Sequence, residues 1–305
     1  MKKDLLSINS LSKQEIEELI AYAISLKKKQ KANKPHNPLR GKTLGMLFEK
    51  PSTRTRVSFE VGMLQLGGHA LYMSWKDMQL SRGESVEDTA RVLSRYLDGI
   101  VIRSFSQHTL ETFAHYATIP VINGLTDLLH PCQVLSDLMT IVEKKGGLKK
   151  LKIAYIGDGN NVANSWINAS LTLGFYLHLA CPKGYEPDQH IAEKAKADVL
   201  SQINLSSDPF EAAQDADIIN TDTWVSMGQE NERQKRMEVF KDYQVNSSLL
   251  KMAKKDVLVM HCLPAHRGKE ITDEVYDGRH SIIFDQAENR LHMQKAILEK
   301  LLTEN

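Results

Sequence analysis

The chain has 305 residues, a length typical of two domains, and its 42% hydrophobic and 25% charged residues are those of an ordinary globular protein. Its 39 basic and 38 acidic side chains leave a net charge of +1, which argues against a global field that attracts nucleic acid. Three widely spaced cysteines and the lack of an apolar run of about 18 residues or of a targeting pattern predict a cytoplasmic protein without disulfides or membrane segments.

Short apolar runs alternate with amphipathic stretches such as Glu87–Leu97 and Thr109–Ala117. This alternation is typical of parallel strands covered by helices on both faces. The predicted strands are 43–48, 69–73, 99–103, 119–123, 152–157, 175–180, 216–221, 256–261 and 281–285.

Nine strands are many for one such domain. The segment Glu143–Lys150, which is rich in lysine and glycine, has the composition of a linker between two domains. We therefore predict an α/β fold of two doubly wound parallel-sheet domains, about 1–140 and 141–285. A C-terminal helix is predicted from about Ala287, and the sequence pattern allows it to pack on either domain.

In open parallel sheets, ligands bind beyond the carboxyl ends of the strands. Seven predicted strand ends carry polar, proline or cysteine clusters, whereas the helices carry few residues of that kind. The clusters are PSTRT at 51–55, Arg103, HPCQ at 130–133, GDGNN at 157–161, DTWVSMG at 222–228, HCLP at 261–264 and DQAENR at 285–290. We therefore expect two sites, one in each domain.

The first cluster has the features of an anion cradle at a helix start. Pro51 ends the strand and Ser52 is a good N-cap, so the free amides and the dipole of the following helix favour an anion. Arg54 adds a planar fork, and Thr53 and Thr55 add hydroxyl donors. A phosphate is the favoured ligand, and a capped helix with a surface arginine is the alternative. The sequence lacks GxxxxGK[ST], which argues against a P-loop nucleoside triphosphatase.

Three further polar residues follow later strands of the first domain. Arg103 ends an apolar strand, so its buried guanidinium needs either a bound phosphate or a salt bridge to Glu60 or Asp88. His130 can polarise a carbonyl group, although an ordinary loop histidine is the alternative. The amide of Gln133 matches a planar NH2–C=O group.

The GDGNN segment resembles a dinucleotide fingerprint but departs from it. Val162 stands where the third glycine belongs, and the next strand ends without an acid for a ribose, so we predict no nicotinamide cofactor. Asn160 and Asn161 remain as polar groups at a helix start, where helix capping is the alternative role.

The later clusters offer groups for an amine and a carbonyl. Asp222 can hold an ammonium group, or it can be a helix N-cap. A nucleophilic Cys262 is disfavoured because His261, next to it on a strand, points to the opposite face. Zinc is disfavoured because no CxxC or HExxH spacing occurs. The Leu263–Pro264 bond is a candidate for the cis form, and Arg290 either reaches a carbonyl or phosphate or lies on the surface.

Six segments, in the same order along the chain, resemble the aspartate/ornithine carbamoyltransferase family. They are STRTR at 52–56, HPCQ at 130–133, DGNN at 158–161, DTWVSMG at 222–228, HCLP at 261–264 and FDQAENR at 284–290. The resemblance is greatest to the members that use ornithine, because those that use aspartate lack the DxxxSMG and HCLP pair. Putrescine, acetylornithine and lysine remain as alternative acceptors, and a non-catalytic sensor of phosphorylated metabolites remains as an alternative function.

The resemblance implies transfer of the carbamoyl group from carbamoyl phosphate to L-ornithine, in arginine biosynthesis and without a cofactor or a metal. Residues 1–140 with 287–305 would bind carbamoyl phosphate, and residues 141–286 would bind ornithine. The phosphate and carbamoyl groups would be held by Ser52, Thr53, Arg54, Thr55, Arg103, His130, Gln133, Cys262, the Leu263 main chain and Arg290. Ornithine would be held by Asn161, Asp222, Ser226 and Met227, with Cys262 near the reacting amine.

Members of the family are trimers or multiples of trimers, in which a neighbouring subunit completes each site. The segment Met78–Ser85 matches the loop that does so, with Gln79 as the residue expected to contact carbamoyl phosphate. The resemblance thus implies a homo-oligomer with small-molecule substrates, and neither nucleic acid nor a membrane as a partner.

Overall fold

The computed structural model describes residues 3–226 and 228–303. The chain forms two compact units, one of Met1–Met139 with Asn289–Asn305 and one of Thr140–Glu288. Among the described residues, no helix combines the length and the apolar character that crossing a bilayer requires.

The first unit contains a parallel four-stranded sheet in the order β2-β1-β3-β4. Its strands are β1 Thr43–Phe48, β2 His69–Ser74, β3 Gly99–Arg103 and β4 Val121–Leu125. The helices that begin in this unit are α1 Lys13–Lys31, α2 Thr53–Gln65, α3 Val86–Leu93, α4 Gln107–Tyr116 and α5 Pro131–Lys145. Helix α1 begins at a capping box, in which Ser12 and Glu15 bond each other's backbone amides.

The second unit contains a parallel five-stranded sheet in the order β7-β6-β5-β8-β9. Its strands are β5 Lys152–Ile156, β6 Tyr176–Ala180, β7 Ile203–Ser206, β8 Ile218–Thr221 and β9 Leu258–His261. Its helices are α6 Asn161–Leu173, α7 Gln189–Ala197, α8 Pro209–Ala213, α9 Arg233–Val239, α10 Ser247–Leu250 and α11 Asp273–Tyr276. The last helix, α12 Ile283–Thr303, begins here and ends in the first unit.

The end of α12 packs back on the first unit. Lys27 of α1 donates to Asn289 Oδ1 at 2.7 Å, and both residues belong to that unit. Gly62 of α2 leaves room for Lys295 and Leu298, and Gly99 of β3 leaves room for Leu302. The α/β class with two parallel sheets and a returning C-terminal helix is confirmed.

Eight of the nine predicted strands are confirmed, and the ninth, at 281–285, is wrong. Ser281 forms a single bridge to Val259, and α12 begins at Ile283 instead of about Ala287. The apolar run at 281–285 was ambiguous because such a short run fits either a strand or the first turn of a helix. Strand β7 was missed because this four-residue edge strand, INLS, is at most partly buried and lacks a continuous apolar run.

Candidate active site

The predicted helix start at Ser52 is confirmed. Ser52 has an extended backbone, and its hydroxyl accepts a hydrogen bond from the Thr55 amide at 3.2 Å. Helix α2 begins at Thr53, just after the carboxyl end of β1. Arg54 is partly exposed, whereas the side chain of Thr55 is buried. The amides of this first turn therefore lie at the sheet edge where ligands of parallel sheets bind.

Arg290 joins three elements of the first unit in this region. Its Nη2 donates to Thr55 Oγ1 at 2.9 Å and its Nη1 donates to Gln133 Oε1 at 3.0 Å. Gln133 in turn donates to Asp137 Oδ1 at 2.8 Å. Since Arg290 is 4% exposed, the alternative of a surface arginine is wrong.

Arg103 is buried at the end of β3 and its Nε has no hydrogen-bond partner among the described residues. Burial, followed by the nearby charges of Arg290 and Arg54, lowers the pKa of Arg103 to about 10. The alternative salt bridges are wrong, because Glu60 pairs with Arg56 at 2.9 Å and Asp88 pairs with Arg91 at 2.9 Å. A buried guanidinium without a carboxylate is costly, and an anion bound beside it would remove that cost.

His130 lies in the same electropositive region. It is 5% exposed, and burial together with the charges of Arg290, Arg103 and Arg54 holds its pKa well below the usual range of histidine. The imidazole is therefore neutral at physiological pH. Three guanidinium groups beside a neutral imidazole can bind an anion and can also stabilise negative charge that develops on a carbonyl oxygen.

Asp222 is the centre of a second polar cluster, in the second unit. Its carboxylate accepts hydrogen bonds from Asn160 Nδ2 at 2.7 Å, from the Thr223 amide at 2.7 Å and from Cys262 Sγ at 2.8 Å. The residues directly after it are irregular, so the helix-cap alternative for Asp222 is wrong. The carboxylate, buried to 6% exposure, is suited to hold an ammonium group.

For Asn160, the capping alternative is confirmed. Its Oδ1 accepts from the amides of Val162 at 2.9 Å and Ala163 at 3.3 Å, at the start of α6. Asn161 is the first residue of α6, beside this cap. The cap carbonyl oxygen faces the helix, which leaves the amide nitrogen of Asn160 to orient Asp222.

The two residues beside Cys262 are fixed by hydrogen bonds of their own. His261 Nδ1 accepts from the Leu263 amide at 2.9 Å, and His261 Nε2 lies 3.1 Å from Glu270 Oε1. Both ring nitrogens of His261 are therefore engaged, which disfavours this residue as a base for Cys262. The predicted reason, a ring that points to the opposite face, is wrong, because a ring nitrogen lies within 4.8 Å of Cys262 Sγ. The Leu263–Pro264 bond is cis, as the sequence suggested, and Leu263 has a φ of 60°.

One cluster has the composition of a metal site. Ligand atoms of Asp222, His261 and Cys262 lie within 4.8 Å of one another. The spacing argument from sequence did not anticipate this group, because its members come from two different strand ends. Both ring nitrogens of His261 already make hydrogen bonds, so coordination by this ring would have to displace Glu270 or the Leu263 amide.

The glycine pattern of the GDGNN segment has a packing explanation. A Cβ atom on Gly159 would lie 2.3 Å from the backbone carbon of Glu186 and the nitrogen of Pro187. Glycine is therefore required because the 184–188 segment approaches closely. Strand β6 is followed by Cys181 rather than by an acid, which again differs from a dinucleotide site.

Sequence analysis missed a buried ion pair that ties the segment after β8 to the GDGNN turn. The guanidinium of Arg236, on α9, pairs with Asp158 and donates through Nε to the Trp224 carbonyl at 2.6 Å. Burial raises the pKa of Asp158 to about 6, and the charge of Arg236 opposes that rise. An arginine on a short polar helix is predicted to be exposed, so the sequence contained no indication of this contact.

The remaining predicted site residues make fewer hydrogen bonds among the described residues. The Ser226 amide donates to Gln229 Oε1 at 3.1 Å, and Met227 lies outside the described residues. Gln79 is exposed in a 3-10 turn, Gln79–Arg82, which is anchored by the buried side chain of Leu80. The side chain of Gln79 makes no hydrogen bond with any described residue.

Comparison with known proteins identifies the family. The model of the aspartate/ornithine carbamoyltransferase carbamoyl-P binding domain matches residues 3–143, and that of the Asp/Orn binding domain matches residues 149–301. The ornithine carbamoyltransferase of Syntrophus aciditrophicus is 59% identical over 302 residues, covering 99% of this chain and 100% of that protein. The ornithine carbamoyltransferase of Methanosarcina mazei is 57% identical over 302 residues, with the same coverage.

Solved structures agree with these relatives. The ornithine carbamoyltransferase from Pyrococcus furiosus superposes with a TM-score of 0.92 at 53% identity, covering 97% of this chain and 95% of that chain. The anabolic enzyme from Campylobacter jejuni superposes with a TM-score of 0.92 at 42% identity, covering 99% of both chains. The resemblance drawn from six short segments is thereby confirmed over the full length, and the chain belongs to the aspartate/ornithine carbamoyltransferase family of transferases.

Proposed function

We propose that this protein transfers the carbamoyl group of carbamoyl phosphate to the δ-amine of L-ornithine and releases L-citrulline and phosphate. One observation supports this function above the others. The first unit gathers Arg54, Arg103, Arg290 and His130 around a helix start, and the buried Nε of Arg103 has no hydrogen-bond partner among the described residues. The matched Asp/Orn binding domain supports an amino-acid acceptor, and the two relatives named ornithine carbamoyltransferase support ornithine.

In this proposal the first unit binds carbamoyl phosphate. Ser52, Thr53, Arg54 and Thr55 hold the phosphate with the first amides of α2, because these groups are donors without an acid nearby. Arg103 bridges the phosphate and the carbonyl oxygen. His130 donates to the carbonyl oxygen, while Gln133, Arg290 and the Leu263 main chain orient the carbamoyl amide. The buried, unpartnered Nε of Arg103 supports its role in binding an anion.

The second unit binds ornithine in this proposal. Asp222 accepts from the δ-ammonium group and holds it beside Cys262, whose thiol already donates to the same carboxylate. Asn161, Ser226 and Met227 orient the α-amino and carboxylate groups. Asn160 supports this arrangement, since its amide fixes the rotamer of Asp222.

The chemistry follows from these charges. The deprotonated δ-amine attacks the carbamoyl carbon, and the carbonyl oxygen becomes an oxyanion that Arg103, Thr55 and His130 stabilise. The C–O bond to phosphate then breaks, and the attacking nitrogen gives its surplus proton to the departing phosphate. Arg54 and the helix amides neutralise the remaining charge of that phosphate. Holding both substrates in line supplies much of the acceleration, and no covalent enzyme intermediate is required.

We further propose that the protein acts as a homotrimer, or a multiple of trimers, in arginine biosynthesis. The exposed Gln79, in a turn anchored by Leu80, supports a contact to carbamoyl phosphate bound by a neighbouring subunit. Mixing inactive Arg54→Ala chains with inactive Gln79→Ala chains tests this arrangement, because sites assembled from both kinds of subunit regain both residues. Absence of recovered activity after subunit exchange would contradict a contribution in trans.

The substrate assignment is tested by a citrulline assay with carbamoyl phosphate and a panel of amines. We expect product with L-ornithine and at least 100-fold slower turnover with putrescine, N-acetylornithine, lysine and aspartate. If putrescine or aspartate were carbamoylated and ornithine were not, the assignment of ornithine as the acceptor would be wrong. Absence of turnover with every amine, together with carbamoyl phosphate binding, would favour the non-catalytic sensor.

Cys262 is expected to be the cysteine that iodoacetamide modifies first. It is partly exposed, whereas Cys132 and Cys181 are buried and burial raises the pKa of both thiols, that of Cys132 to about 12. Peptide mass spectrometry after limited alkylation measures the order. L-Ornithine is expected to slow modification of Cys262, and lysine at equal ionic strength is the matched control. Modification of Cys132 before Cys262 would contradict the structure.

His130 is expected to make stability depend on pH. The folded protein keeps this imidazole neutral, whereas the unfolded chain takes up a proton below pH 6.5, so stability falls as the pH drops through that value. Between pH 7.5 and 5.5 the wild type should lose about 1.4 kcal/mol more unfolding free energy than His130→Gln. Urea unfolding of both proteins at both pH values measures this difference. Equal losses would mean that His130 titrates normally in the fold.

A further inference from the structure

A cavity of about 610 Å³ lies in the second unit, between the turn after α10 and the turn after α11. Its floor is apolar and consists of Leu250, Ala253, Val257 and Val275. We refer to it as the α10–α11 cavity. Val257 directly precedes β9, so the cavity adjoins the amino end of that strand, whereas Cys262 follows its carboxyl end. Four strand residues span roughly 13 Å, which separates the cavity from the candidate active site.

The rim of the α10–α11 cavity is strongly basic. It carries four permanent cations and one acid, Glu274; the cations are Lys251, Lys254, Lys255 and Arg279. Lys254 is balanced by Asp217 at 2.8 Å. Lys251 and Lys255 make no hydrogen bond or ion pair with any described residue. Three cations of the rim therefore face solvent without a carboxylate of their own.

Arg279 has an unusual partner for an arginine. Its Nε donates to His280 Nε2 at 3.2 Å, and His280 Nδ1 lies 2.8 Å from the Val257 carbonyl. In this arrangement the imidazole accepts at Nε2 and donates at Nδ1. This contact fixes the direction of the Arg279 guanidinium without balancing its charge.

Glu274 accepts a hydrogen bond at 2.6 Å from Ser247, which also lines the cavity, so its charge offsets one cation of the rim. The acids next to the cavity lining pair with other cations. Asp256 pairs with Lys145 at 2.8 Å, and Arg267 holds two further carboxylates, Asp273 and Asp277. The chain as a whole has a net charge of only +1. The local excess of cations relative to acids around an apolar floor is therefore a specific feature of this cavity.

We propose that the α10–α11 cavity is a second binding site, which takes an organic anion bearing a phosphate group. A guanidinium fork with two ammonium groups matches phosphate oxygens. The apolar floor covers a flat organic body, and the volume falls within the range of about 300–1,000 Å³ for small-molecule sites. Inorganic phosphate alone would leave the floor exposed and bind more weakly. The proposal concerns binding and does not depend on the reaction proposed above.

Titration with 1-naphthyl phosphate at low ionic strength, followed by calorimetry, tests the proposal. We expect the variant Lys251→Gln/Lys255→Gln/Arg279→Gln to bind this probe at least 10-fold more weakly at one site, while binding at the phosphate cradle of α2 persists. The matched control is Lys149→Gln/Lys183→Gln/Lys194→Gln, which removes three exposed cations of the same unit and should stay within twofold of wild type. Equal affinity of the two triple variants would overturn the proposal.

A soak with 4-bromo-1-naphthyl phosphate gives an independent result. Anomalous bromine signal over Val257 is expected, and signal confined to the α2 cradle would overturn the proposal. Circular dichroism and the citrulline rate show whether the triple variant is folded. If it is not, the single exposed substitution Lys255→Gln replaces it, with an expected threefold loss of affinity at the cavity and no loss if the proposal is wrong.

Discussion

Replacing Arg54 with alanine is expected to lower kcat/KM for carbamoyl phosphate by about 100- to 1,000-fold, equivalent to roughly 3–4 kcal/mol of transition-state stabilisation. Arg54 lies in the first turn of α2, where its charge acts on both Arg103 and His130. The phosphate oxygens carry more negative charge as the C–O bond breaks. A preorganised guanidinium therefore stabilises the transition state more than the ground state.

The matched control for this variant is Arg95→Ala. Arg95 is also an arginine of the first unit, but it is exposed and belongs to none of the strand-end clusters. Steady-state kinetics of both variants with L-ornithine in excess measures the difference. Removal of Arg54 should also weaken the binding of phosphate as a product inhibitor. If Arg54→Ala and Arg95→Ala had the same modest effect, the helix start would not be the phosphate site.

Replacing Asp222 with asparagine is expected to raise the KM for L-ornithine by roughly 10- to 100-fold, about 1.4–2.7 kcal/mol, while carbamoyl phosphate binding changes little. The carboxylate accepts from three donors, namely Asn160 Nδ2, the Thr223 amide and Cys262 Sγ. An asparagine amide would turn one of these contacts into a donor facing a donor, and it would also remove the charge that attracts an ammonium group.

Calorimetric titration with carbamoyl phosphate separates this effect from general damage. Asp256→Asn is the control, because it makes the same change at an exposed carboxylate of the same unit. If Asp222→Asn abolished carbamoyl phosphate binding and left the ornithine KM unchanged, the assignment of the two substrates to two units would be wrong. Thermal unfolding of both variants shows whether the loss of the buried hydrogen bonds destabilises the fold.

The two polar clusters, one in each unit, differ in their electrostatics. In the first unit, burial first and the neighbouring guanidinium groups second lower the pKa values of both Arg103 and His130. In the second unit, Asp158 is balanced by Arg236, whereas Asp222 is held by neutral donors. Among the described residues no cation forms an ion pair with Asp222, so this carboxyl group is available to a cationic substrate.

The sequence by itself determined the features that depend on neighbouring residues. Alternation of apolar runs predicted eight strands, and Ser52 predicted a helix cap that is present, because these signals act over a few residues. The order of six short segments along the chain was sufficient to identify the family. The positions of the clusters after confirmed strands followed as well, since all carboxyl ends of a parallel sheet lie at one edge. DQAENR is the exception, because residues 285–290 lie within α12 and follow no strand.

Only the tertiary structure decided which side chains are buried and what they touch. Arg290 meets Thr55 across 235 positions of sequence and Gln133 across 157, and Arg236 meets Asp158 across 78. Burial, and then the charges of three arginines from distant elements, holds the pKa of His130 well below its usual range. Burial and charge are summed over everything that packing brings close, so a local pattern in the chain carries no information about them.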